Sequence, residues 1–227
     1  MKKYFLFAVL GSFFILNSCT KENSDTVDQD KIYTSYILEY NSNQDATFAQ
    51  ANFHFSNAFG TKLELVSPAE VTVDGDIMPF KQALAYYEKE FNGTKLTGNF
   101  KYTDADQNIF ENSIVLVPSI DFDGTLDTIS RSSNYMLTCV GDPVQTGEVV
   151  TVTIDGAGEN DTQIFTQTGV GATDINLTQN QLGNLGLEDA TFYIRRAKNV
   201  DAQEVTSAGG KVISRYDGHP NTVYVKQ

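Results

Sequence analysis

From Ile32 onward the chain is cut into short runs of β-branched and aromatic residues, each closed within about a dozen residues by a turn signal, and this spacing favours sheet over any other regular structure. Ile32 to Tyr40 reads Ile-Tyr-Thr-Ser-Tyr-Ile-Leu-Glu-Tyr and stops on Asn41-Ser42-Asn43. Thr47 to Phe59 places Phe48, Phe53, Phe55 and Phe59 mostly at even spacing, the period of a strand. Lys62 to Val66 resumes the pattern after Gly60, and Ser67-Pro68 ends it. Val71-Thr72-Val73 then runs into Asp74-Gly75, a pair suited to a two-residue hairpin turn because both central residues accept positive φ. Lys95 to Tyr102 and Ile109 to Val117 read as paired strands joined by Thr103 to Asn108. The chain holds 15 Phe and 11 Tyr but no Trp, so its large apolar surface comes from rings that pack well on sheets.

One stretch breaks the pattern. Ile77, Phe80, Leu84, Tyr87 and Phe91 recur at helical intervals, Asp76 stands ahead of them as a capping candidate, Pro79 suits a first turn, and Asn92-Gly93 supplies a stop. The spacing predicts a short helix near 78–91 whose apolar stripe faces a core.

After Pro118 comes an acidic turn, Asp121-Phe122-Asp123-Gly124, and then a polar stretch that places a domain boundary near Thr125 to Arg131. Beyond it the strand pattern returns in Tyr135 to Val140, Glu148 to Ile154, Thr191 to Arg196, Thr206 to Tyr216 and Asn221 to Lys226, with one helical turn expected at Thr178 to Gly183. Tyr36-Ile37-Leu38 and Tyr135-Met136-Leu137 each open a half. Short strands at this spacing, in two halves, resemble tandem immunoglobulin-like modules. The resemblance implies an all-β chain of two β-sandwich domains, 31–126 with the inserted helix and 127–227.

Only Cys19 and Cys139 occur, so a modified Cys19 leaves no intramolecular disulfide and stability has to come from packing. At the other end, Lys2 and Lys3 precede an apolar run from Tyr4 to Leu16 that is too short to span a bilayer, the pattern of an export signal. Leu16-Asn17-Ser18-Cys19 resembles the lipobox of bacterial lipoproteins. That resemblance implies removal of 1–18, diacylglycerylation of the Cys19 sulfur, and membrane attachment by two or three acyl chains such as palmitate, which is effectively permanent. Thr20 is not the aspartate of inner-membrane retention, which points to an outer membrane. Lys21-Glu22 with Asp25, Asp28 and Asp30 is similar to the surface-export signal of Bacteroidota-type lipoproteins. Residues 19–30 read as an acidic flexible tether.

Without Lys2 and Lys3 the chain keeps 14 basic against 29 acidic residues, a formal charge of −15. Such a surface repels nucleic acid and anionic membrane and would tolerate Ca²⁺ or a cationic partner. A surface protein or a glycan is the expected partner beyond the membrane reached through the anchor.

Three groups of residues could carry chemistry. Ile114 to Asp127 is similar to the first motif of haloacid dehalogenase-type phosphatases, which implies Asp121 as nucleophile and Asp123 as acid/base of a metal-dependent hydrolase. The downstream Ser or Thr, the Lys and the late acid pair of that family are not in place, so an acidic turn is the preferred reading. Asp104, Asp106 and Asn108 carry oxygens at alternate positions, as a calcium loop does, but Ile109 and Val115 stand where glycine and glutamate belong. A hairpin turn explains the same residues, with structural Ca²⁺ as the alternative; Asp155, Glu159 and Asp161 form a similar loop. Cys139 alternates with Tyr135 and Leu137 and reads as a small buried hydrophobe. The sequence therefore predicts no catalytic residue and no cofactor. It predicts a lipid-anchored, non-enzymatic binding or structural module, with glycan capture by tyrosines such as Tyr86 or Tyr102 as a second reading.

Overall fold

The computed structural model describes residues 21–158 and 161–227, so the leader and Cys19 lie outside the described residues. The described chain is mostly β-strand with very little helix, arranged in sandwich-like sheets.

The first half supplies β1 (Lys21–Asn23), β2 (Ile32–Asn41), β3 (Ala46–Phe55), β4 (Lys62–Glu64), β5 (Glu70–Val73), β6 (Asp76–Ile77), β7 (Phe80–Lys81), β8 (Tyr86–Asn92), β9 (Thr97–Thr103) and β10 (Ile109–Val115). The second supplies β11 (Ile120–Phe122), β12 (Thr128–Ser130), β13 (Tyr135–Gly141), β14 (Glu148–Asp155), β15 (Gln163–Gln167), β16 (Asp174–Leu177), β17 (Glu188–Asp201), β18 (Gly210–Asp217) and β19 (Asn221–Lys226), with α1 (Gln179–Leu182) after β16. One sheet runs β1-β4-β3-β2-β18-β17-β14-β15, with β7 and β8 added beside β3, and β12 and β19 beside β17. Two small sheets, β10-β9-β5-β6 and β11-β13-β16, cover it.

Alternation explains the layers. In β2 the even-numbered Ile32, Thr34, Tyr36, Leu38 and Tyr40 are buried, while Tyr33, Ser35, Glu39 and Asn41 point the other way. The neighbouring β3 sets Ala51 opposite Tyr36 and Ala49 opposite Leu38, so small side chains make room for large ones. Across the sandwich Tyr36 meets Phe100 at 5.2 Å between ring centroids and Phe53 meets Tyr102 at 4.7 Å. These residues centre a first core. Val150, Val152, Ile154, Phe192, Val223 and Val225 centre a second, against which Ile120, Phe122, Leu137 and Ile175 pack from the facing sheet. Burial of each such side chain stabilises the fold by about 2 kcal/mol.

The two halves share one sheet. Strand β18 pairs in parallel with β2 from Gly210↔Thr34 to Asp217↔Asn41. The fourteen-residue β17 spans both partners, since its first residues pair with β19 and its last with β18. Tyr216 packs against both cores, and Ala202 and Val212 belong to the first although they lie late in the chain. The crossing between cores falls at Val117–Ser119, because Leu116 closes the first core and Ile120, Phe122, Leu126 and Ile129 belong to the second. The acidic turn placed at the boundary is thus part of the second core's wall.

Two expectations are corrected. No helix forms near 78–91; that stretch gives β7, a turn with Ala85 at φ 53°, and β8, which pairs with β3 from Ala46↔Asn92 to Ala51↔Tyr87. An isolated helix of this length is marginal, whereas the open edge of β3 offers a ladder, and Tyr87 drops its ring between Phe53 and Phe80. The flexible tether is also ordered from residue 21. Strand β1 pairs in parallel with β4, Ser24 is buried, and the Gln29 carboxamide donates to the carbonyls of Ser24 at 2.7 Å and Val27 at 2.9 Å while accepting from Ala105 N at 3.2 Å. Polar side chains bonded to backbone replace the apolar burial that this stretch lacks. The Asp74-Gly75 hairpin forms as expected, with φ of 51° and 85°.

Candidate binding groove

The outward face of the shared sheet carries polar side chains from both halves. One rung crosses seven strands without interruption: Thr166, Thr151, Arg195, Asp217, Asn41, Ala46 and Asn92 are successive register partners. Four of these, Thr151, Arg195, Asp217 and Asn41, floor a groove of about 520 Å³. Thr153 and Tyr193, partners on the next rung, line it as well, and Asn43, Gly218 and Pro220 wall it. The volume falls in the range of small-ligand sites. The parallel β2–β18 seam creates the groove, since it brings residue 41 beside residue 217 and so beside the strands of the second half.

Electrostatically the groove is fixed and balanced. Arg195 donates through Nε to Asp217 Oδ1 at 2.5 Å and through Nη2 to Asp217 Oδ2 at 2.7 Å, a fork geometry that holds both side chains in place. The Asp217 carboxylate raises the Arg195 pKa above its ordinary value. Just outside, Arg215 Nη1 donates to Glu39 Oε2 at 3.1 Å, and Glu39 also lies 3.8 Å from Arg195. Two cations thus face two carboxylates. Gly218 sits so close to the facing layer that a Cβ would meet the Ile120 carbonyl oxygen at 2.6 Å, which accounts for glycine at that wall. A second depression, about 470 Å³ on the outer face of β5, β9 and β10, involves the first half alone and has no exposed ring.

The residues singled out from sequence fall elsewhere. Asp121 Oδ2 lies 2.7 Å from His219 Nδ1 and its Oδ1 accepts from Phe122 N at 2.8 Å; Asp123 accepts from Thr125 N at 3.2 Å within the turn. Asp121 sits in the antiparallel edge strand β11 and Asp123 in the turn after it, and each is engaged in holding local backbone or the terminal His219 turn. Asp104 is buried, with Oδ1 accepting from Asn108 N at 2.8 Å and Oδ2 from the Asn108 amide at 2.9 Å, so these two residues lock a hairpin turn while Asp106 is exposed at its tip. Among the described residues no three His, Cys, Asp or Glu side chains converge as metal ligands. Asp161 accepts from Gly158 N and Gly186 N, both at 2.9 Å, and these amides hold its carboxyl below the usual range. Glu159 lies outside the described residues. Burial pushes the Cys139 thiol up to about 11, and the adjoining space of about 10 Å³ holds no more than one water-sized molecule. Tyr102 is fully buried in the first core, stacked near Phe110, and cannot reach a ligand. Tyr86 opens β8 and donates to Glu88 Oε2 at 3.0 Å.

Sequence reasoning missed Tyr193, Arg195 and Asp217. The alternation of Tyr193 and Arg195 with Phe192 and Ile194 is a signal that could have marked them as outward facing, but nothing local says which strand lies opposite them.

No family model matches the chain, and no curated protein matches it in sequence. Among solved structures it is similar to part of a 1.5-MDa bacterial ice-binding adhesin described for host cell surface retention, at 11% identity over 86% of this chain and 65% of that one, with a TM-score of 0.26. It is also similar to the FN1–FN3 domains of chicken CNTN1, at 9% identity over 85% and 66% with a TM-score of 0.27. A tetra-tandem repeat from the extending region of a large adhesion protein gives 13% identity over 84% and 49%, with a TM-score of 0.25. The chain thus spans about two thirds or less of these solved chains.

Proposed function

We propose that the protein is a lipid-anchored, outer-membrane or cell-surface binding module of two fused immunoglobulin-like sandwiches, and that it acts by holding a ligand in the groove between its halves without chemical turnover. The observation that carries this reading is the rung Thr151-Arg195-Asp217-Asn41, which puts both halves into one rigid, solvent-facing site. Sites built on strands are pre-organised, which favours binding over disorder-to-order adaptation. The anchor reading rests on Leu16-Asn17-Ser18-Cys19. With β1 starting at Lys21, Thr20 is the one residue in sequence between Cys19 and the described body.

Two measurements test the proposal. Cells fed labelled palmitate incorporate it into the wild-type protein and not into Cys19→Ala, which fractionates as a soluble product; label retained in Cys19→Ala defeats the anchor. Aryl phosphate with Mg²⁺ is left unhydrolysed by the protein and by Asp121→Asn alike, and hydrolysis abolished by Asp121→Asn defeats the non-enzymatic assignment.

A further inference from the structure

The groove's chemistry points to the class of ligand, and we infer that it takes a neutral oligosaccharide. This rests on the reading of the groove as a binding site. Its floor presents, side by side on one rung, a hydroxyl from Thr151, a guanidinium from Arg195, a carboxylate from Asp217 and a carboxamide from Asn41. Each hydroxyl of a sugar both donates and accepts, so it is matched where donor-only and acceptor-only groups stand next to each other in fixed positions. Arg195 uses two of its five N–H groups on Asp217 and its Nη2 lies 3.8 Å from Glu39, while its side chain remains solvent-accessible with N–H groups to spare. The four floor positions span three strand spacings, about 14 Å, the reach of a short oligosaccharide rather than a single small ion.

Charge excludes the other ligand classes. A carboxylate or phosphate ligand would compete with Asp217 for Arg195 and face Asp217 itself, and an ammonium ligand would meet the reverse problem. The bidentate pair leaves a site with no net charge, within a chain whose excess of acidic residues repels polyanions. The four floor side chains end in polar groups, and Tyr193, 45% exposed, is the one aromatic ring among the lining residues. A single half-exposed ring beside a polar rung gives a sugar one face to stack on while its hydroxyls turn to the floor.

The test uses the full chain in detergent, applied to surfaces coated with mannan, galactan, xylan or amylose, with polygalacturonate as an anionic comparison and gelatin as a protein one. Retention is expected on at least one neutral polysaccharide and weaker on polygalacturonate. Tyr193→Ala and Thr153→Ala, both outward facing on the sheet, should each weaken that retention by about tenfold. Met136→Ser, on the outer face of a different sheet, should not change it. Retention on polygalacturonate above all neutral polymers overturns the neutral class. Retention on gelatin alone, lost in Tyr193→Ala, overturns the saccharide and keeps the groove as a binding site. Polysaccharide retention indifferent to both groove variants overturns the site, and no retention on any surface overturns the site and the binding reading together. Thermal unfolding of each variant at the wild-type midpoint confirms that the comparison is between folded proteins.

Discussion

Replacing Ser214 with alanine tests whether the two halves form one cooperative body. Ser214 is buried in β18, on the side facing the cores, between Val212 of the first core and Tyr216, which touches both. Its Oγ accepts from the backbone N of Val117 at 2.7 Å, where the chain crosses from one core to the other, and Val117 is itself buried. Without that oxygen the Val117 N–H loses its partner in a place from which water is excluded. An unsatisfied buried donor costs about 1–3 kcal/mol, so a central value of about 2 kcal/mol multiplies the opening constant roughly thirtyfold. For a chain of this size that corresponds to a midpoint lower by about 4–8 °C.

Hydrogen exchange read by mass spectrometry locates the effect. If the continuous sheet couples the cores, protection of Ala49 to Phe53 in β3 and of Val150 to Ile154 in β14 should fall by the same factor, about thirtyfold, and calorimetry should show one transition. Ser207→Ala provides the contrast, because the Ser207 hydroxyl donates to the Asp30 carbonyl at 2.8 Å in an exposed position and its loss should shift stability by less than about 0.5 kcal/mol. The reasoning fails if only one core loses protection, if two separate transitions appear, or if Ser214→Ala leaves the midpoint where it was.

Other predictions concern single features. Phe53→Ala removes the ring that Tyr87 and Tyr102 pack on and should destabilise the chain by about 3–5 kcal/mol, measured by urea denaturation. Asp161→Ala strips the carboxylate from two glycine amides and should cost about 2 kcal/mol or more. Since the folded Asp161 carboxyl titrates below its unfolded value, its contribution is complete above the unfolded value near 3.8 and is lost as pH falls through the folded one; acid unfolding curves of Asp161→Ala should be flatter in that window. His54 runs on a different scale: burial, aided by Lys62, lowers its pKa below 6.5, so the unfolded chain takes up a proton first and stability should drop as pH falls below about 6.5, a slope that His54→Gln should remove. The melting midpoint should not respond to Ca²⁺, whereas Asp104→Ala, which unlocks the Asn108 turn, should lower it; a midpoint raised by Ca²⁺ and insensitive in Asp104→Ala would show a cation held there after all.

How far the fold was legible follows from the range of the forces involved. Period-two alternation in Ile32–Tyr40 and Glu148–Ile154, and the positive-φ pair Asp74-Gly75, are local, and each is present as read. The helical turn expected at Thr178 to Gly183 appears as α1, with Leu182 buried over the second core. The failure at 78–91 is instructive because its apolar residues fit two periods at once. Phe80, Tyr87 and Phe91 sit at helical spacing, yet Tyr87, Lys89 and Phe91 also alternate, and only the unpaired edge of β3, some forty residues earlier, decides between them. Residues 21–31 failed for the opposite reason: they bury almost no apolar surface, and what orders them is a set of side-chain bonds to distant backbone, from Gln29 to Ala105 and from Asp30 to Ser207.

The groove illustrates the same limit at the level of function. Thr151, Arg195, Asp217 and Asn41 come from four strands, and none stands in a local motif. Their meeting depends on a parallel pairing between β2 and β18, which are separated by most of the chain, and parallel partners carry no turn signal that could announce them. The motifs that sequence does announce, Asp121-Phe122-Asp123-Gly124-Thr125 and Asp104-Ala105-Asp106-Gln107-Asn108, are engaged with nearby backbone, with Asp121 also meeting His219, because short polar side chains beside a bend reach local backbone readily. In a sheet protein of this kind a run of acids in a loop is therefore weak ground for a site. An outward-facing rung shared by distant strands is stronger ground, since the sheet fixes every member's position and leaves the side chains free to face a ligand.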